Sequence, residues 1–149
     1  MWIDKTDPDA VNIDAGNGTG LIDILRRKGY RVNEVWFGSN TGIPEEWANT
    51  RTWMAAQARE WLRGGCIDMS PDLQRDLTAP EAHPHGKAGD KIMLQSKDEL
   101  RAQGLPSPDD GDAFFLTFHG KHARRDRKAT RGGRRKDRVA QGVDYPLFG

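Results

Sequence analysis

Asp14 closes the alternating run Asp-Ala-Val-Asn-Ile-Asp-Ala (residues 9–15), just before Gly16-Asn17-Gly18-Thr19-Gly20. Val11 and Ile13 fall on one face of an extended chain, and Asn12 and Asp14 on the other. A carboxylate at the C-terminal end of a strand sits where open α/β sheets take their ligands. The same carboxylate can simply cap the helix that follows. A second acidic set, Asp109, Asp110 and Asp112, opens a helix after Pro106-Ser107-Pro108. Acidic residues in a first helical turn suit the helix dipole and often do nothing else. Asp112, however, adjoins Ala113 and Phe114, and an inward carboxylate needs a partner. A hard divalent cation such as Mg²⁺ or Mn²⁺ is a common one, and a pair of such ions can hold both oxygens of a phosphodiester displacement.

Other chemistries find less support. The glycine run lacks dinucleotide-binding spacing, and Asp14 would repel a pyrophosphate. No Gly-Lys-Ser/Thr follows, which excludes a P-loop, so residues 16–20 read as a tight strand-to-helix turn. His83 and His85 lie in an expected turn and His119 and His122 beside a basic run, with no cysteine pair to join them into a zinc site. Cys66 is the single cysteine, so no disulfide framework forms within the chain, and it follows a helix end as a packing residue. A reducing cytoplasm fits that usage.

Net charge over the 149 residues is +1, which hides an asymmetry. Residues 121–138 hold ten Lys and Arg against Asp126 and Asp137, a net +8; the rest carries 13 basic and 20 acidic residues, a net −7. The basic run has no apolar periodicity and is expected to be disordered alone. Arg124, Arg125, Arg127, Lys128, Arg131, Arg134 and Arg135 are its candidate DNA-binding residues, in a salt-sensitive and sequence-blind mode. No apolar run approaches the roughly 20 residues needed to span a bilayer, and no signal sequence opens the chain.

The elements that must position these residues follow from patterning. A strand at 9–15, a helix at 21–28 ended by Gly29 and a strand at 31–37 form a strand–helix–strand unit, expected to be parallel. A long helix at 47–63 ends at Gly64-Gly65, with Met54, Ala58, Trp61 and Leu62 toward the sheet. A short helix at 71–78 is capped by Ser70. Two strands near 77–82 and 91–95 precede a Ser96-capped helix at 97–103. The last helix, 109–119, points Ala113, Phe114, Leu116, Thr117 and Phe118 at the core.

The ordered pieces now carry a resemblance. Asp9-Ala-Val-Asn-Ile-Asp-Ala-Gly-Asn-Gly-Thr-Gly, Leu25-Arg-Arg-Lys-Gly-Tyr-Arg-Val, Val35-Trp-Phe-Gly-Ser and Ala48-Asn-Thr-Arg stand in the order of a phage terminase nuclease domain. Trp53 to Glu60-Trp-Leu, Leu77-Thr-Ala-Pro, Gln95-Ser-Lys-Asp, Gly104-Leu-Pro-Ser-Pro-Asp and Asp112-Ala-Phe-Phe-Leu-Thr-Phe continue it. From about residue 8 to 119 the chain resembles the C-terminal part of that domain in the large subunit.

The resemblance implies an α/β, RNase H-like fold: a mixed sheet flanked by helices, truncated at the N-terminus, over residues 1–119, with the basic tail at 120–149. It implies Mg²⁺ or Mn²⁺ on Asp14 and Asp112 as catalytic ligands, with Asp109 as a helper and Lys97 on DNA. It implies an endonuclease that cuts concatemeric viral DNA in the cytoplasm of a bacterial host. Double-stranded DNA, the terminase small subunit, the portal protein and the upstream ATPase part would be its partners. The family's ATPase motifs and first nuclease strand, with its metal-binding aspartate, have no counterpart in this sequence. Two rivals stand beside this reading: a non-catalytic DNA-binding remnant, and another RNase H-like enzyme such as a Holliday-junction resolvase or a transposase. The Leu-Pro-Ser-Pro-Asp stretch speaks against the second.

Overall fold

A computed structural model describes residues 2–68 and 70–120. The basic run, with all seven of its candidate DNA-binding residues, lies outside the described residues. Residues 10–120 form one compact unit; α1 (Trp2–Thr6) falls outside it, a single turn closed by Thr6 Oγ1 donating to the carbonyl of Trp2. Among the described residues no helix is long and apolar enough to cross a membrane.

The unit is α/β. Strand β1 (Asn12–Asp14) runs parallel to β2 (Asn33–Val35), with Asn12 beside Asn33 and Asp14 beside Val35. Helix α2 (Ala15–Arg27) joins them, as the strand–helix–strand pattern requires. The strands are shorter than their sequence patterns, and the helix is longer. Residues 16–20 are the first turns of α2 rather than a separate turn. Asp14 caps that helix, and Gly18 lets it lie against β1, where a Cβ would sit 2.6 Å from Ile13 Cγ2. Gly29, at φ +83°, ends the helix, with Tyr30 N–H bonding Leu25 O and Gly29 N–H bonding Arg26 O.

Helix α3 (Thr50–Leu62) starts later than its pattern, because Asn49 caps it by accepting from Thr52 N–H. Helix α4 (Pro71–Thr78) has the expected bounds and its Ser70 cap. Antiparallel β3 (Ala82–His85) and β4 (Lys91–Leu94) form a second sheet, so His83 and His85 lie in a strand and not in the turn. Among the described residues the four strands thus fall into two two-stranded sheets. Helix α5 (Lys97–Ala102) carries a full capping box, Ser96 with Glu99. Helix α6 (Asp109–Leu116) ends three residues before its pattern.

The core gathers Val35, Met54, Ala58 and Phe115. Trp61 is not fully covered; it packs edge-on against Phe114 and Phe118. The inward stripe of α6 is Pro108, Gly111, Asp112 and Phe115, while Ala113 and Thr117 face solvent. That stripe escapes an apolar pattern search because two of its members are a glycine and an aspartate.

Candidate functional site

The C-terminal ends of β1 and β2 open onto a cleft of about 280 Å³. Asp14, Asn17, Trp36, Arg51, Ser96 and Lys97 line it. Asp14 arrives there because the parallel strand ends at it, and its Oδ1 accepts from Gly16 N–H at 3.0 Å. Asp14 thus caps a helix and lines the cleft at once.

Arg51 and Lys97 enter from the first turns of α3 and α5. A cation at that position opposes the helix dipole, so each needs a stronger partner. For both, that partner is Asp112 of α6. Arg51 Nε donates to Asp112 Oδ1 at 2.7 Å, and Arg51 Nη1 donates to the carbonyl of Gln95 at 2.8 Å. Lys97 Nζ stands 2.9 Å from Asp112 Oδ2 and 3.5 Å from Asp109 Oδ1. The approach to Asp112 Oδ2 lacks the angle of a hydrogen bond, so this buried oxygen is met by charge alone. Arg51 Nη2, also buried, has no hydrogen-bond partner either.

The expected inward turn of Asp112 is present: it is 4% exposed. Its partners are two protein cations. Asp109, by contrast, is largely exposed, and a hydrogen bond from Ser107 Oγ at 2.7 Å, together with the Lys97 charge, holds its carboxyl below the usual carboxylate range.

One further carboxylate shapes the site without touching the cleft. Helix α6 has Pro108 at its cap position and no side-chain cap of its own. Asp76, 2% exposed near the end of α4, supplies it from a distance: Oδ2 accepts from Asp110 N–H at 3.0 Å and Gly111 N–H at 3.3 Å. Arg75 donates to Asp76 Oδ1, and its pKa is raised by that hydrogen bond. Gly111 permits the approach, since a Cβ there would meet the Asp76 backbone oxygen at 3.1 Å.

Sequence reasoning named Asp14, Asp109, Asp112 and Lys97, and it missed Arg51 and Asp76. The structure links the three α5–α6 residues directly and brings Lys97 into the same cleft as Asp14. Among the described residues no three His, Cys, Asp or Glu side chains are grouped to hold a metal ion. The α6 carboxylates nonetheless share one cation already, the Lys97 ammonium, and their oxygens are the hard donors that Mg²⁺ and Mn²⁺ take. Comparison with protein-family models, with curated proteins and with solved structures gives no match.

Proposed function

We propose that this chain is part of the nuclease domain of a phage terminase large subunit, with an RNase H-like fold, and that its cleft serves metal-dependent cleavage of double-stranded DNA. The observation that carries the reading is the convergence on Lys97: it shares a cleft with Asp14 and contacts Asp109 and Asp112, which lie about a hundred residues along the chain.

Asp14, Asp109 and Asp112 would hold Mg²⁺ or Mn²⁺, which supplies a water of lowered pKa and charge stabilisation at the scissile phosphate. The chain's own groups do the positioning. Arg51 holds Asp112, and Asp76 holds the start of α6, so Asp112 is fixed beside Lys97, which lines the cleft. The N-terminal turns of α2 and α3 contribute Gly16, Asn17 and Arg51 to its walls, and the positive ends of those helices favour a phosphate there. A further acidic ligand from outside the described residues would complete the metal site. The basic run at 121–138 would hold duplex DNA without regard to sequence. Terminase small subunit, portal and the motor ATPase are the partners this reading carries with it, in a host-cell cytoplasm.

Nicking of supercoiled plasmid in Mn²⁺ tests the proposal. The unaltered chain is expected to produce relaxed circles, and Asp14→Asn to slow this by roughly tenfold or more, as the loss of a metal ligand should. If neither protein nicks while duplex binding persists, the chain binds DNA without cutting it. Preference for four-way junctions over linear duplex would instead point to a resolvase.

A further inference from the structure

Trp36 presents a bare indole on the lining of the cleft, and we propose that it is a stacking platform for one unpaired nucleobase of a single DNA strand. The proposal rests on the nuclease reading above for DNA as the ligand, and adds to it that the cleft grips a strand by its base as well as by its phosphates.

The position of the ring follows from β2. Val35 is 1% exposed and Phe37 packs on the same core, so alternation carries Trp36 to the opposite side. There it lines the cleft at the C-terminal end of the parallel pair, the edge at which open α/β sheets take ligands. The residue is 54% exposed, and among the described residues its ring makes no aromatic contact and its N–H no hydrogen bond. A scattered exposed apolar residue needs no explanation. Trp36 differs because the segment that bears it is fastened. Arg51 N–H bonds Phe37 O at 3.1 Å, and Thr50 N–H bonds Ser39 O at 2.7 Å, so residues 37–39 are tied to the start of α3. A ring held in place loses little freedom when a base stacks on it.

The other lining residues suit the rest of a nucleotide. Arg51 and Lys97 bring cations to the cleft that holds Trp36, and Arg51 Nη2 makes no hydrogen bond among the described residues. Asn17, also on the lining, exposes a carboxamide that can both donate to and accept from a base edge. Every base has a π face, so an aromatic platform is tolerant of sequence. A base inside an intact duplex has both faces covered by its neighbours, whereas an unpaired base can offer one to Trp36.

Fluorescence anisotropy with the full chain tests this, using a labelled short oligothymidylate and an abasic strand of the same length. The two strands carry the same phosphates, so the basic run contributes equally to both. The unaltered chain is expected to bind the base-bearing strand roughly 5-fold or more tightly. Trp36→Leu is expected to bind the two strands equally, and Trp36→Phe, which keeps a ring, to retain part of the preference. Equal affinities in the unaltered chain, or a preference that survives Trp36→Leu, overturn the platform. On a blunt duplex of the same length Trp36→Leu is expected to cost less affinity than on the single strand; an equal loss overturns the choice of an unpaired base. A base preference that depends on Trp36 without any plasmid nicking keeps the platform and removes cleavage, and nicking without a base preference does the reverse. Should Trp36→Leu fail to fold, the indole N–H resonance of Trp36 in the unaltered chain decides: a shift with the base-bearing strand alone supports stacking, and the same response to both strands rejects it.

Discussion

Asp112 is a buried carboxylate with two cationic neighbours of unequal standing. Arg51 is 8% exposed and hydrogen-bonded, whereas Lys97 reaches solvent. Removing Arg51 leaves a buried charge short of its main partner, which costs roughly 3–5 kcal/mol in comparable pairs. Arg51→Met should therefore lower stability in urea by about that much, a large share of the roughly 5–15 kcal/mol of an ordinary domain. Arg51→Met with Asp112→Leu should cost less than the sum of the two single changes. A single-variant loss below about 1 kcal/mol would show that Lys97 alone suffices and contradict the assignment.

Asp109 behaves differently, because its contacts are exposed. Its folded carboxyl is held below the usual range, first by Ser107 and then by Lys97. The contacts made by its ionised form are thus present above the ordinary carboxylate pKa and disappear as pH falls through the lowered value. NMR titration of Ser107→Ala should move the Asp109 midpoint upward; an unmoved midpoint would contradict the hydrogen bond. At this scale Asp14 and the α6 aspartates were legible because each closes or opens a patterned element. Arg51 was not, since its partner is 61 residues away. One trace of such partners exists: Arg51 and Lys97 at helix starts, and Asp76 near a helix end, all stand against the dipole.

Among the elements, two glycines of α2 make opposite demands. At Gly18 a Cβ would meet Ile13 Cγ2 at 2.6 Å, whereas at Gly20 nothing lies within 4 Å. Gly20→Ala should stabilise by about 0.5–1 kcal/mol through helix propensity alone. Gly18→Ala should lose about 1–3 kcal/mol to overpacking, which outweighs the same propensity gain. Thermal unfolding of both variants checks the pair; the same sign for both would mean that α2 does not press on β1 as described. Asp76→Ala should cost about 1–3 kcal/mol by uncapping α6, which has no side-chain cap of its own. Patterning located every helix of the compact unit, because caps such as Ser70, Ser96 and Gly29 are local signals. It misplaced the α2 start, since a glycine run reads as a turn when the strand that needs the close approach is out of view. It also placed β3 several residues early, because Pro84 and two histidines do not look like a strand.

Across the whole molecule, the chain separates its charge: a net +8 in residues 121–138 and −7 elsewhere. The acidic part holds the cleft, with Asp14 on one wall and the α6 carboxylates reached through Lys97. The relation between Asp14 and α6 could not be read from sequence patterning, because it rests on contacts far apart in the chain, such as Asn12 Nδ2 donating to Leu116 O. Ala48 N–H bonds Ile92 O, and Leu94 N–H bonds Thr52 Oγ1, so the entry to α3 and its first turn are tied to the hairpin ahead of Lys97. The central proposal is that these carboxylates, with a further acidic ligand, contribute to one divalent-cation site. Paramagnetic broadening of amide NMR signals by substoichiometric Mn²⁺ tests it most directly. Asp14, Gly16, Lys97, Asp109 and Asp112 are expected to broaden first and together, and Asp14→Asn to weaken the effect at all of them. Broadening centred on other acidic residues, such as Asp68 and Asp72, or unchanged by Asp14→Asn, would contradict it.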